Sequence, residues 1–148
     1  MPKVLIVIGS QSDMEYAEKC RIQLETFKIQ GDIEVSSAHR HPEQTARLTA
    51  GAESNGYEVI IAMAGLAAAL PGTAAAHSNL PVIGVPIPAA LGGLDSLLAI
   101  AQMPPGIPVA TVAIGSPGAK NAAVLAARIL ALKHSDVRQA LEEHRKSL

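Results

Sequence analysis

The stretch KVLIVIGSQSD, residues 3–13, decides the fold. From Lys3 to Ile8 the chain is almost continuously apolar, as in a strand covered on both faces; a strand with one wet side would alternate. Gly9 turns the chain, and Ser10, Ser12 and Asp13 stand where a helix would start, with short polar side chains suited to its free N–H groups. Ser12 and Glu15 have the spacing of a capping box. Ala17, Cys20, Leu24 and Phe27 then recur on one helical face, which places Cys20 in the core rather than at a reactive site. A buried strand, a tight turn and an amphipathic helix make the opening of a βα unit.

The unit repeats outward from there. Strand-like runs at Lys3–Ile8, Ile33–Ser36, Glu58–Met63, Pro81–Pro86 and Pro108–Ile114 alternate with helical stretches. The helices are expected over about Asp13–Ile29, Pro42–Asn55, Leu66–Ser78 (interrupted at Pro71-Gly72), Leu94–Met103 and Gly118–Leu132. Pro42 suits the first turn of the second helix and Gly56 its stop. A polar helix over about Ser135–Lys146 ends the chain. This alternation predicts one three-layer α/β domain over residues 1–148. Its core would be a flavodoxin-like parallel sheet of five strands, order 2-1-3-4-5, with helices on both faces.

Composition removes several classes of function. Among 148 residues, 12 Lys+Arg face 13 Asp+Glu, a net charge of -1 that does not suit a general polyanion binder. Three aromatics, Tyr16, Tyr57 and Phe27, offer no stacking platform for single-stranded nucleic acid. With Cys20 alone, no intramolecular disulfide and no cysteine-based zinc site can form. The start does not read as a signal peptide, so a cytoplasmic protein is expected. Between Glu58 and Lys120 the only formal charge is Asp95, but repeated prolines leave no continuous membrane-spanning helix. So long an uncharged stretch exceeds what one small domain encloses, so part of it is expected to face other subunits. The helix after Gly118, apolar nearly all round, is the candidate contact.

Chemistry is expected beyond the carboxyl ends of the strands, where open parallel sheets bind ligands. Gly9-Ser10-Gln11-Ser12-Asp13 follows the first strand and offers N–H groups and hydroxyls to an anion, with Asp13 suited to ribose hydroxyls. Read alone, its polar residues simply cap a helix. Ser37-Ala38-His39-Arg40-His41-Pro42 follows the second strand; arginine grips phosphate with a planar fork, and histidine trades a proton near neutral pH. His41 reads as a cap or surface residue, and a His-x-His metal site lacks a third ligand, so no metal is expected. Residues 64–72, AGLAAALPG, supply small side chains and backbone without an acid or base. His77, His134 and His144 are expected at the surface without charged company.

Taken in order, GSQSD at 9–13, SAHRHPE at 37–43, AGLAAALPG at 64–72, LPVIGVP at 80–86, GLDSLLAIAQMPPGIPVATVAIG at 93–115 and NAAVLAARIL at 121–130 resemble the PurE family of purine biosynthesis. The resemblance is to its class I type, the N5-carboxyaminoimidazole ribonucleotide mutases, and runs from about Val4 to Leu132. It implies an octamer. It also implies ATP-independent transfer of a carboxylate from N5 to C4 of an imidazole ribonucleotide, with CO2 as a transient and no cofactor.

Carried onto this chain, the resemblance makes His39 the general acid/base. Ser10, Ser12, Ser37 and Arg40 would hold the phosphate and Asp13 the ribose. Gly9, Ala38, Ala64, Gly65 and Leu70 would complete the substrate site, and the Gly65–Gly72 loop would wall in the base. The class I pattern reads AGxAAHLPG, and Ala69 stands at its histidine. Class II enzymes, which carboxylate aminoimidazole ribonucleotide directly with CO2, also lack that histidine; they tend to carry lysine where this chain has Arg40. Direct carboxylation is therefore the alternative activity, and a non-catalytic flavodoxin-like nucleotide-binding module the alternative class.

Overall fold

A computed structural model describes residues 1–148. Its strands are β1 (Lys3–Ile8), β2 (Gln30–Val35), β3 (Tyr57–Gly65), β4 (Val82–Ile87) and β5 (Ala110–Thr111). They form one sheet in the order β2-β1-β3-β4-β5, every neighbouring pair parallel. The helices are α1 (Met14–Thr26), α2 (Pro42–Ala50), α3 (Leu70–His77), α4 (Leu94–Ala101), α5 (Ser116–Leu130) and α6 (Ser135–Lys146). The doubly wound order anticipated from the alternation is the one observed.

Both faces of the sheet are dry, which explains the unbroken apolar runs. Val4, Ile6, Ile8, Val59, Ile61 and Met63 point into a core shared with α1 and α5. Leu5, Val7, Ile60 and Ala62 point into a second core under α3 and α4. Cys20 lies fully buried in the first core, where burial pushes its thiol up to about 12. Gly84 of β4 lets the second layer close in: a Cβ there would stand 3.0 Å from Val109 Cγ1 and 3.2 Å from Pro71 Cβ.

Several boundaries differ from the sequence reading. β2 begins at Gln30 and ends before Ser36; it is an edge strand, paired on one side by β1, and its polar residues tolerate that exposure. The run 108–114 yields only two residues of strand. Pro108 has no N–H to donate, and beyond Thr111 the link to β4 thins to Val112 N–H on Gly84 O (3.2 Å) and Gly115 N–H on Pro86 O (2.9 Å). α1 ends at Thr26 and α4 at Ala101, and α2 stops at Ala50, capped by Gly51; Gly56, at φ 88°, instead makes the turn into β3. Pro71-Gly72 does not interrupt a helix. α3 begins at Leu70 and Pro71 sits in its first turn, where a missing N–H is harmless.

The capping box is absent too. Ser10 caps a single 3-10 turn over residues 11–13, accepting from Ser12 N–H at 3.3 Å, while Glu15 pairs with Lys19 at 3.1 Å. α5 begins at Ser116, and its enclosure comes from within the chain: α1 and α6 pack against it, burying Ala119, Ala122, Ala123, Ala126, Ala127 and Leu130. The uncharged surface left open lies on and before α4, where Leu91, Leu94 and Leu98 are 70%, 57% and 49% exposed. His134 is not without charged company. Its Nε2 lies 2.9 Å from Glu58 Oε2, and Lys133 joins the same carboxylate at 3.0 Å. His77 Nδ1 meets Thr73 O at 2.8 Å, and His144 stands edge-on to Phe27, ring centroids 5.1 Å apart.

Candidate active site at the strand ends

Parallel strands bring their carboxyl ends to one rim, and β1 separates β2 from β3 in the sheet. The segments that follow these three strands therefore meet although they are far apart in sequence. They line one cleft of about 430 Å³. Gly9, Ser10, Ser12 and Asp13 form one wall; Ser37, Ala38, His39 and Arg40 a second; Ala64, Gly65 and Leu70 belong to the third. All eleven residues singled out from the sequence lie on this cleft.

The first wall is held by one hydroxyl pair and one backbone turn. Ser12 Oγ donates to Ser10 Oγ at 3.0 Å, and Asp13 N–H donates to Ser10 O at 3.0 Å. Asp13 is half-buried at the start of α1 and its side chain makes no capping bond. Burial raises its carboxyl above its ordinary value.

The second wall is a loop whose backbone is fixed while the side chains of His39 and Arg40 stay free. Arg40 N–H donates to Ser37 Oγ at 3.1 Å, and His41 N–H to Ser37 O at 2.9 Å. Beneath it, Thr45 at the start of α2 is fully buried. Its Oγ1 lies 2.6 Å from the buried Ser36 Oγ, 3.1 Å from Ser37 O and 3.0 Å from His41 O. The side chains of His39 and Arg40 are exposed and take no part in these bonds. His41 stands at the N-cap of α2 without a side-chain capping bond. No third His, Cys, Asp or Glu joins it and His39 in a metal-ligating cluster.

The third wall is apolar and close. Gly65 lies against β4, where a Cβ would sit 3.3 Å from Ile87 O. Leu66 adopts φ 55°, a left-handed conformation that a side chain disfavours, and is 61% exposed beside the cleft. Ala68 and Ala69 continue the wall, and Ala69 presents a methyl group at the N-cap of α3. Sequence reasoning missed Ile87, Pro88 and Ala89, which close the cleft from the end of β4. The placement of β4 beside β3 was the available signal, since its carboxyl end must share the rim. No aromatic side chain lines the cleft, so a flavin ring has nothing to stack on.

The cleft thus brings together the hydroxyls of Ser10, Ser12 and Ser37, one guanidinium, a single imidazole and an apolar wall. This suits a small anion-bearing, ring-containing ligand and a proton transfer. Comparison with known proteins agrees. The AIR carboxylase family model matches residues 3–148. An N5-carboxyaminoimidazole ribonucleotide mutase of Pyrococcus abyssi is 52% identical across 100% of this chain and 84% of its own length. The enzyme of that name from Escherichia coli (strain K12) is 49% identical over 98% of this chain and 86% of its own length. The crystal structure of Treponema denticola PurE superposes with a TM-score of 0.90 at 33% identity, covering 99% of this chain and 91% of that one. The chain belongs to the AIR carboxylase, or PurE, family.

Proposed function

We propose that the chain is an N5-carboxyaminoimidazole ribonucleotide mutase, working without ATP, metal or organic cofactor. The reading rests on one imidazole, His39, lining the cleft that the three strand-end segments enclose, and it is supported by relatives of that name at about half identity. The substrate's phosphate lies against Ser10, Ser12, Ser37 and Arg40, where charge-assisted bonds are strongest. Asp13 accepts from the ribose hydroxyls. Gly9, Ala38, Ala64, Gly65 and Leu70 shape the space for the imidazole base.

The reaction then needs one group that gives and takes a proton. The N5–carboxyl bond breaks, CO2 leaves, and the electron pair on N5 takes a proton from His39. C4 of the ring attacks the retained CO2, forming a C–C bond, and the C4 proton returns to His39. Proton and carboxylate both balance over the cycle. The apolar wall of residues 64–70 keeps CO2 in and water out between the two steps. A group in this role must come within about 3 Å of both N5 and C4 in turn.

The test feeds the protein two substrates separately, N5-carboxyaminoimidazole ribonucleotide alone, and aminoimidazole ribonucleotide with bicarbonate, both without ATP. Turnover of the first supports the mutase. Turnover of the second alone at low bicarbonate means direct carboxylation, the activity Ala69 leaves open. His39→Asn should abolish turnover while binding stays within about tenfold; retained turnover would remove His39 from the mechanism.

We further infer a homo-octamer working in the cytoplasm. The exposed leucines on and before α4 form an uncharged surface suited to subunit contact, and Asp95 Oδ1 beside them is buried without a hydrogen-bond partner.

A further inference from the structure

α5 and α6 leave a groove of about 340 Å³ between them, apart from the strand-end cleft and sharing no residue with it. The link 131–134 folds the chain back so that α6 packs along α5. Arg138 and Arg145 line the groove from α6, and Arg128 lines it from α5. Val124 and Leu141 form an apolar, half-buried floor, and His144 completes one side.

Each cation has a local role. Arg128 and Arg145 lie in the last turns of their helices, where the macrodipole favours positive charge. Arg138 Nη2 donates to Ala131 O at 3.1 Å, closing the end of α5. Those roles do not explain three guanidiniums on one trough with no carboxylate paired to any of them. Glu142 lines the same groove but is unpaired, although it stands at helical spacing from both Arg138 and Arg145.

We propose that this groove binds a polyphosphate anion of the nucleoside diphosphate class, at a site separate from catalysis. Arg138 and Arg145 are seven residues apart, about 10 Å along the helix and on one face, so with Arg128 they spread positive charge along the groove instead of concentrating it at one point. An anion of two linked phosphates carries its charge at more than one point as well, and planar guanidiniums bind each phosphate through paired N–H donors. The floor of Val124 and Leu141 offers apolar contact to the organic part. A bare cationic surface would lack such a floor.

Inorganic pyrophosphate and ADP, titrated separately into the full chain at low salt by calorimetry, test this. Both should bind, and Arg128→Gln/Arg145→Gln should weaken both by about tenfold or more with basal turnover unchanged. Arg40→Gln, at the catalytic cleft, should leave this binding in place. Proton NMR of His144 in the unmodified protein gives a second readout: its ring signals should shift on adding pyrophosphate. Absence of binding would overturn the proposal. So would equal weakening by Lys120→Gln/Lys146→Gln, which would mark unspecific attraction, or loss of all binding in Arg40→Gln. A double variant that changes only the oligomer mass would make the groove a subunit contact instead.

Discussion

Thr45→Val tests how the loop that carries His39 is held. The change nearly conserves volume, so it leaves no cavity, and the effect isolates the hydroxyl. Each hydroxyl has one proton. Thr45 donates toward Ser37 O or His41 O, and Ser36 in turn donates to Thr45 Oγ1 across 2.6 Å. Both carbonyls keep a backbone donor without Thr45: His41 N–H for Ser37 O, and Thr45 N–H for His41 O at 3.1 Å.

The orphan is therefore the Ser36 hydroxyl, 2% exposed. A buried donor left unmade costs roughly 1–3 kcal/mol. For ~2 kcal/mol, a chain of this size should melt roughly 4–8 °C lower. With His39 in the role proposed for it, turnover should fall as well, because a shift of about 1 Å at a catalytic group can cost on the order of a hundredfold. Thermal melts and steady-state rates on Thr45→Val, Ser36→Ala and the double variant complete a double-mutant cycle. The double variant should recover ~1 kcal/mol relative to the sum of the singles, since both polar partners are gone. Additive losses, or an unchanged melt for Thr45→Val, would refute the reasoning.

Other expectations follow from single features. Gly118→Ala should give little folded protein, or a loss above ~4 kcal/mol, because its Cβ would overlap the Ala113 carbonyl where the chain enters α5; soluble yield and urea melts report it. Partial burial pushes the Glu58 carboxyl up, but the hydrogen bonds and charges of His134 and Lys133 outweigh this and hold it below its ordinary value of 4.5. Its contribution is therefore present above that pH and lost as pH falls through the lowered value. Glu58→Gln should accordingly destabilise by ~1 kcal/mol at neutral pH and flatten the acid limb of the stability curve. Leu98→Glu should shift the sedimentation coefficient toward smaller species if the α4 surface is a subunit contact; an unchanged coefficient would place the interface elsewhere.

Most of the fold was legible because burial on both faces writes itself into composition. Val4 to Ile8 and Val59 to Met63 have no polar residues, so they read as central strands wherever they sit. The edges were less legible. β2 carries Gln30, Asp32 and Glu34, and β5 stops after two residues; an edge strand has one partner and one open side, so neither its pattern nor its length is dictated by its own sequence. Helix starts failed for a similar reason. Ser12 and Glu15 have the right spacing for a capping box, but Ser12 turned toward Ser10, a choice between two short local bonds that spacing does not settle.

The sequence by itself determined which residue types are available for chemistry: two imidazoles, His39 and His41, and one guanidinium beside a run of hydroxyls, and an apolar segment with no acid or base. It also determined the parallel sheet, because alternating apolar runs and helices have few other ways to bury themselves. Only the tertiary structure decided that residues 9–13, 37–40 and 64–70, brought to one rim by that sheet's strand order, close into one cleft, and that the end of β4 completes it. It alone showed that α6 covers α5 from within the chain, leaving α4 as the uncharged open face. Contacts between segments so distant in sequence depend on how the layers stack, and a side chain's type does not encode which distant neighbour it will meet.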